Sequence, residues 1–348
     1  MGHNQQLDTM LAQIRQTAEG AREEKDFDSI FATLREFRDA VGPIRYDNRS
    51  KWYVCAALAV LGGGFALAFF LNPALQRALD IVGYGILGAL ALALIVVLLV
   101  IAFANSSIGQ ISDLIFRKDV FFDNRLQEQD IEGRGRDMYE HLYEEFGEFR
   151  CRGDEDRYIE RLIRGQWSGR EHSFPYEHYV FHYVRVYYVP VTKKIGKTTI
   201  TTMERRTQTL HRYGLLLDFP FAERLAVHSS GGDYDYPVRH EPTSEDFNRV
   251  FTTVADSEHA AVKFLKPAVV LEFLEMSRMF SGLNLEVGRN GRMNVAFSDS
   301  DILDRSRSSS IEDPDAFEAE VKSDLALPKL RRLMTFVETL KRYNDSNF

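Results

Sequence analysis

Apolar and polar positions follow several different rhythms along this 348-residue chain, and in two stretches the rhythm disappears. Residues 52–71 and 81–104 contain no Asp, Glu, Lys, Arg or His and are apolar on every side. A helix rising about 1.5 Å per residue needs roughly 20 apolar residues to cross a hydrocarbon layer about 30 Å thick, and both stretches reach that length. Long core helices of soluble proteins normally keep a polar face. The two stretches are therefore expected to form a transmembrane helical hairpin, closed by residues 72–80, where Pro73 suits the turn. About fifty mostly polar residues come first, which argues against a cleaved signal peptide.

Ahead of the apolar pair the period is helical. Leu7, Leu11, Ile14 and Ala18 make one stripe, and Phe27, Ile30, Phe31, Leu34 and Phe37 make another, with a break near Gly20 and residues 26–28. Residues 1–50 thus read as a cytoplasmic amphipathic helical region. After the pair, residues 107–117 are expected to continue the second helix, and residues 138–149 to form another, so that residues 105–150 act as a helical connector.

The period then shifts to two. Residues 176–189 are dense in Tyr, Val and Phe, and 198–202 are β-branched, which predicts a β-hairpin with Ile195-Gly196-Lys197 near its tip. Residues 210–219, 224–228 and 247–255 are expected to be strands, and 261–265 a short apolar segment. A helix is predicted from Pro267 to about Phe280, presenting Val269, Val270, Phe273, Leu274 and Ser277 on one side. Residues 283–287 and 292–297 flank Gly288-Arg289-Asn290-Gly291, a strong hairpin signal because Asn-Gly readily supplies positive φ. Two more helices are expected, one from Pro314 capped by Asp313 and one over 328–343. The fold class expected is α+β: an N-terminal helical segment, a two-helix transmembrane hairpin (51–104), and a C-terminal cytoplasmic domain (151–348) of antiparallel strands packed with helices.

Charge fixes an expected orientation. Arg35, Arg38, Arg45, Arg49 and Lys51 precede the first apolar stretch, and Arg117, Lys118 and Arg125 follow the second, whereas the connection holds only Arg77. Basic residues resist translocation, so both termini are expected in the cytoplasm of a bacterial cell, with the protein in the inner membrane. Gly64 with Ala68 and Gly85 with Ala89 are small residues four apart that would allow helices to approach and the chain to self-associate. The absence of ionisable groups in the apolar stretches disfavours an ion or proton pathway. A net charge of −8 gives no general reason to bind nucleic acid. The two cysteines, Cys55 and Cys151, supply neither a disulfide framework nor a Cys-based zinc site.

Several motifs imitate chemistry. Gly196-Lys197-Thr198-Thr199 resembles the end of a phosphate-binding loop, but the first glycine of that motif would fall at Val191, and the flanks read as strands. His178 and His182 share a strand face, with His172 and His211 as conceivable neighbours, and a zinc site would need a third ligand. Asp233, Asp235 and Asp246, or Asp299, Asp301 and Asp304, could offer oxygen ligands but read as acidic surface loops. Familiar hydrolase signatures are missing from the sequence. Lys193, Lys194, Lys197, Arg205 and Arg206 gather positive charge on one hairpin, where they suit contact with anionic lipid or an acidic partner, or discourage edge pairing.

The order of these pieces resembles a family of bacterial membrane proteins catalogued as domain of unknown function 3137. The resemblance rests on the paired apolar stretches and on Ile163-Arg164-Gly165-Gln166-Trp167-Ser168-Gly169. It also rests on Tyr213-Gly214-Leu215-Leu216-Leu217, on Phe247-Asn248-Arg249-Val250-Phe251, on Phe264-Leu265-Lys266-Pro267, and on the Gly288 to Gly291 hairpin. It implies a membrane-anchored cytoplasmic domain and brings no catalytic residues. The expectation is a non-enzymatic interaction or sensing module without a cofactor, whose partners are the bilayer and an unknown protein. A membrane-associated enzyme with an unrecognised active site and a subunit of a channel-like assembly are the alternatives.

Overall fold

The computed structural model describes residues 2–195, 198–222 and 224–345, and the side chains of 193–195 and 198–199 are outside that description. The chain divides into two compact units, the first holding residues up to Phe122 together with Ser306–Leu325, and the second the remainder.

The first unit is helical. Helices α1 (His3–Gly20) and α2 (Phe27–Ala40) bury the two predicted stripes, Leu7, Leu11, Ile14 and Ala18 on α1 and Phe27, Ile30, Phe31, Leu34 and Phe37 on α2. Helices α3 (Arg49–Leu71) and α4 (Pro73–Asp123) are long and apolar enough to cross a membrane, and only 11% and 6% of their most apolar windows are buried. That exposure separates them from core helices, whose apolar surface would be covered.

In place of a nine-residue loop, α4 starts directly at Pro73. The Asn72 side-chain oxygen accepts the N–H of Ala74 (3.1 Å) and of Leu75 (3.3 Å), and Pro73 occupies the first helical position, where a missing N–H costs nothing. The helix breaks only at Asp80, which adopts φ 39°. Helices α3 and α4 touch where the buried Phe69 ring meets Gly83 and lies 5.2 Å from the Tyr84 ring. Gly64 and Gly85 have open space where a Cβ would stand, so neither is used for that approach.

Beyond its apolar stretch α4 becomes amphipathic. It buries Ile108, Ile111, Ser112, Ile115, Phe116 and Val120 at helical spacing, and Lys118 donates to the carbonyl of Glu19 at 2.5 Å. The segment carrying α10 (Pro314–Val321) joins this unit. Arg35 and Arg38 reach Asp315 at 3.0 and 2.6 Å, and Ile311 donates its N–H to Ser112 at 3.2 Å. The predicted cap is present, since the Asp313 side chain accepts the Ala316 N–H at 3.2 Å.

The second unit is a nine-stranded antiparallel sheet among the described residues. Its strands are β1 (Leu126–Glu128), β2 (Glu155–Ser168), β3 (Ser173–Ile195), β4 (Thr198–Asp218), β5 (Leu225–His228), β6 (Val238–His240), β7 (Thr252–Ala255), β8 (Asn284–Val287) and β9 (Arg292–Phe297). The order across the sheet is β1-β2-β3-β4-β9-β8-β5-β7-β6. The β8–β9 hairpin forms as predicted, with Gly291 at φ 70° and Val287 opposite Met293. The expected strands at 198–202 and 210–219 merge into the single strand β4, paired with β3 from Thr198 to Leu216.

Helices α5 (Gly135–Glu145) and α6 (Gly147–Arg150) help to close one core, in which Tyr139, Leu142, Phe146 and Phe149 meet Ile159, Leu162, Tyr179, Phe181 and Tyr183. A second aromatic cluster joins α7 (Glu245–Val250), α8 (Glu258–Phe264), α9 (Pro267–Met279) and α11 (Pro328–Asn344). Phe273 lies 5.1 Å from Phe336, 5.4 Å from Phe251 and 6.4 Å from Phe264. Residues 247–250, expected to open the strand over 247–255, are instead part of α7, because Ser244 accepts the Phe247 N–H and Glu245 and Asp246 suit the first turn. On α9 the inward face is Val269, Val270, Phe273 and Met276.

Candidate functional site

Strands β3 and β4 outrun the sheet. Strand β2 pairs with β3 only as far as Val184, and β9 pairs with β4 only from Tyr213 onward. From Tyr187 opposite Arg206 to Ile195 opposite Thr198, the two strands pair with each other. These nine residues per strand make an arm about 30 Å long at about 3.3 Å per residue. Pro190 fits there because no further strand needs its missing N–H. Tyr187, Tyr188, Ile200 and Met203 are exposed at 41%, 59%, 45% and 62%. An isolated two-stranded ribbon is marginally stable in water, so such apolar exposure suits a surface that is covered in use.

Of the five basic residues expected here, Lys197 lies outside the described residues, and the side chains of Lys193 and Lys194 do too. Arg205 is engaged by Glu155 at 2.5 Å, and Arg206 lies 3.6 Å from Glu204. The imitation phosphate loop is flanked by β3 and β4, not by a strand and a helix.

The histidines are sorted by strand register. His182 stands directly opposite His211, bringing His182 Nδ1 to 3.3 Å from His211 Nε2. His178 is buried between Ile163 and Leu215 on the neighbouring strands, and burial holds it neutral, its pKa pushed down to about 3. Among the described residues, the acidic loops form no converging ligand set. Asp301 is held by Lys329 at 2.6 Å, and Asp299 accepts the Ser281 N–H at 2.7 Å.

A buried polar network that periodicity did not reveal centres on Glu148 and Arg212. Glu148, on α6, is 1% exposed and accepts hydrogen bonds from Arg212 Nε (2.6 Å), Asn284 Nδ2 (2.6 Å), Tyr234 Oη (2.9 Å) and Arg152 Nε (3.0 Å). Arg212, equally buried, also donates to Ser298 Oγ at 2.8 Å and to the Gly282 carbonyl at 2.5 Å. Burial pushes the Glu148 pKa up, but Arg212 and Arg152 outweigh it, and the carboxyl stays below its usual range.

Beside it, Glu286 accepts from Tyr236 Oη at 3.0 Å and from the Glu148 N–H at 3.4 Å. Desolvation dominates here, because these donors and the charge of Arg150 offset it only in part, and burial pushes the Glu286 pKa up to about 7. The pair divides two buried carboxyls into one ionised and one poised near neutrality. Both serve to join α6 to β8 and the segment around Tyr234 and Tyr236.

The Gly165-Gln166-Trp167-Ser168-Gly169 run has a packing explanation. At the β2–β3 turn the Glu338 carboxylate of α11 accepts the N–H of Glu171 (2.8 Å), the N–H of His172 (3.2 Å) and Trp167 Nε1–H (3.3 Å). A Cβ on Gly169 would stand 2.2 Å from a Glu338 oxygen, and one on Gly165 would stand 2.2 Å from the Tyr176 ring. A side chain at either glycine would push the Glu338 carboxylate or the Tyr176 ring out of its place. An open cleft of about 600 Å³ beside this turn is lined by Trp167, Arg170, Glu171, Glu338 and Arg342 among others.

Comparison of the chain with protein-family profiles, with curated proteins and with solved structures finds no match.

Proposed function

We propose that this chain is a non-enzymatic, membrane-anchored interaction module, held in a bacterial inner membrane by a hairpin of α3 and α4 and engaging a protein partner through the β3–β4 arm. The observation that carries the reading is the arm itself, paired only strand to strand from Tyr187 and Arg206 outward and bearing exposed tyrosines, Ile200 and Met203. Aromatic and Met side chains are enriched where proteins meet. The anchor reading is supported by two exposed apolar helices and by basic residues concentrated at their outer ends. Membership of the family the sequence resembles fits this arrangement. A protein occupant is preferred to lipid because Arg205 already pairs with Glu155, and Glu204 adds negative charge to the arm.

The test uses the full-length protein with a shortened arm. Val186 and Thr207 face each other in register, so an Asn-Gly turn joining them closes the hairpin early. Cross-linking in native membranes should recover a partner with the complete arm and lose it with the short one, while the melting temperature stays the same. Identical cross-linked partners from both forms would refute the assignment. Loss of anionic-vesicle binding alone, with partners retained, would replace a protein occupant with lipid.

A further inference from the structure

The geometry points to a transition-metal site, best suited to zinc, formed by Glu160, His182 and His211 on three adjacent strands. This inference is independent of the arm and its partner. Its origin is a defect in β2: Ile159 pairs with Phe181 and Arg161 with Val180, leaving Glu160 as an extra residue in a β-bulge. Ile159 and Leu162 both enter the aromatic core, so two successive residues between them are turned away from it. Bulges commonly re-aim a side chain in this manner. Here the bulge delivers the Glu160 carboxylate to the histidine pair, with Oε2 at 2.9 Å from His211 Nε2.

The three ligand atoms all lie within 4.8 Å of one another. Tetrahedral zinc with bonds of about 2.0–2.1 Å separates neighbouring ligand atoms by about 3.3 Å, close to the spacing of the two ring nitrogens here. With His211 Nε2 deprotonated, all three centres turn a lone pair toward one another across 2.9–3.3 Å, and a cation between them satisfies them together.

The ligands are already positioned. The Tyr158 ring stacks on His182 with centroids 4.5 Å apart, and the direct cross-strand pairing of His182 with His211 fixes both backbones. The side chains of His211 and Glu160 are 34% and 48% exposed, which leaves coordination positions open to water or a ligand. Two imidazoles and one carboxylate with an open position are a donor set shared by catalytic zinc and non-haem iron(II), and the near-tetrahedral 3.3 Å spacing of the ring nitrogens favours zinc.

The experiment takes the full-length protein in detergent, stripped by a chelator, and titrates zinc chloride in competition with a chromogenic chelator. One zinc per chain is expected. His182→Ala with His211→Ala should weaken binding by at least about 100-fold and Glu160→Gln by about tenfold or more, whereas the control His141→Ala with His259→Ala should leave it unchanged. Cobalt(II) added to the unaltered protein gives a second readout that needs no variant, because four-coordinate binding produces intense visible absorption. Retention of the zinc by the double variant, loss of it in the control, or a cobalt spectrum identical to that of the free aquo ion would each overturn the assignment.

Discussion

Glu286→Gln should change how the stability of the second unit depends on pH. In the unfolded chain this carboxyl titrates near its ordinary value of 4.5, whereas in the folded protein burial raises it to about 7. Between those values the folded state holds a proton that the unfolded state has released, so stability falls as pH rises, and the loss is complete above the folded value. A tenfold difference in proton affinity between the two states corresponds to about 1.36 kcal/mol, which gives about 3 kcal/mol for the whole window and about 2.5 kcal/mol between pH 5 and pH 8. Glutamine cannot titrate. It also gives up one acceptor position toward the backbone N–H groups of α6, but that cost is the same at every pH and cancels from the pH difference.

The assay is urea unfolding of the full-length protein in detergent at pH 5, 6, 7 and 8, followed by fluorescence. A Trp52→Phe background leaves Trp167, in the second unit, as the sole tryptophan. Relative to Glu286→Gln, the parent protein should lose stability toward pH 8, moving its midpoint by about 0.8–2.5 M urea for a slope of about 1–3 kcal/mol per molar. Other titrating groups, including the neutral buried His178, occur in both proteins and drop out. Two pH curves that run parallel would refute the reasoning and mean that the carboxyl is ionised throughout.

Two further outcomes test the polar scaffold. Arg212→Met alone should destabilise the second unit by about 3–5 kcal/mol, because it leaves Glu148 buried with less compensation, and adding Glu148→Gln should recover part of that loss in the same urea assay. Gly169→Ala and Glu338→Ala should each cost about 1–3 kcal/mol and combine far below their sum, since either one breaks the carboxylate's grip on the β2–β3 turn. A fully additive double variant would detach Gly169 from that contact.

Local chemistry is legible in the sequence wherever one signal dominates. The N-terminal stripes, the Asn-Gly hairpin, the cap at Asp313, and the helices opening at Pro267, Pro314 and Pro328 each depend on a few neighbouring residues, and all of them form. Strand β2 escapes a reading by pattern because its charged residues and the bulge at Glu160 interrupt the alternation that marks a strand. The same bulge hides the third ligand of the histidine cluster, although His182 and His211 both stand out in the sequence. Residues 247–255 alternate like a strand, but the Ser244 cap makes 245–250 a helix. The Glu148–Arg212 pair joins residues 64 positions apart. Only the folded sheet brings them together, and no spacing rule could have found them.

Cysteine accessibility tests most directly the central claim, that α3 and α4 anchor the chain with both termini and the β3–β4 arm in the cytoplasm. In a background with Cys55 and Cys151 replaced by serine, Leu75→Cys reports the first turn of α4, at the corner it makes with α3, and Met203→Cys reports the arm. In spheroplasts treated with an impermeant maleimide, labelling is expected at position 75 at once and at position 203 only after the membrane is permeabilised. Immediate labelling at 203 with protection at 75 would invert the orientation, and immediate labelling at both would contradict the membrane anchor.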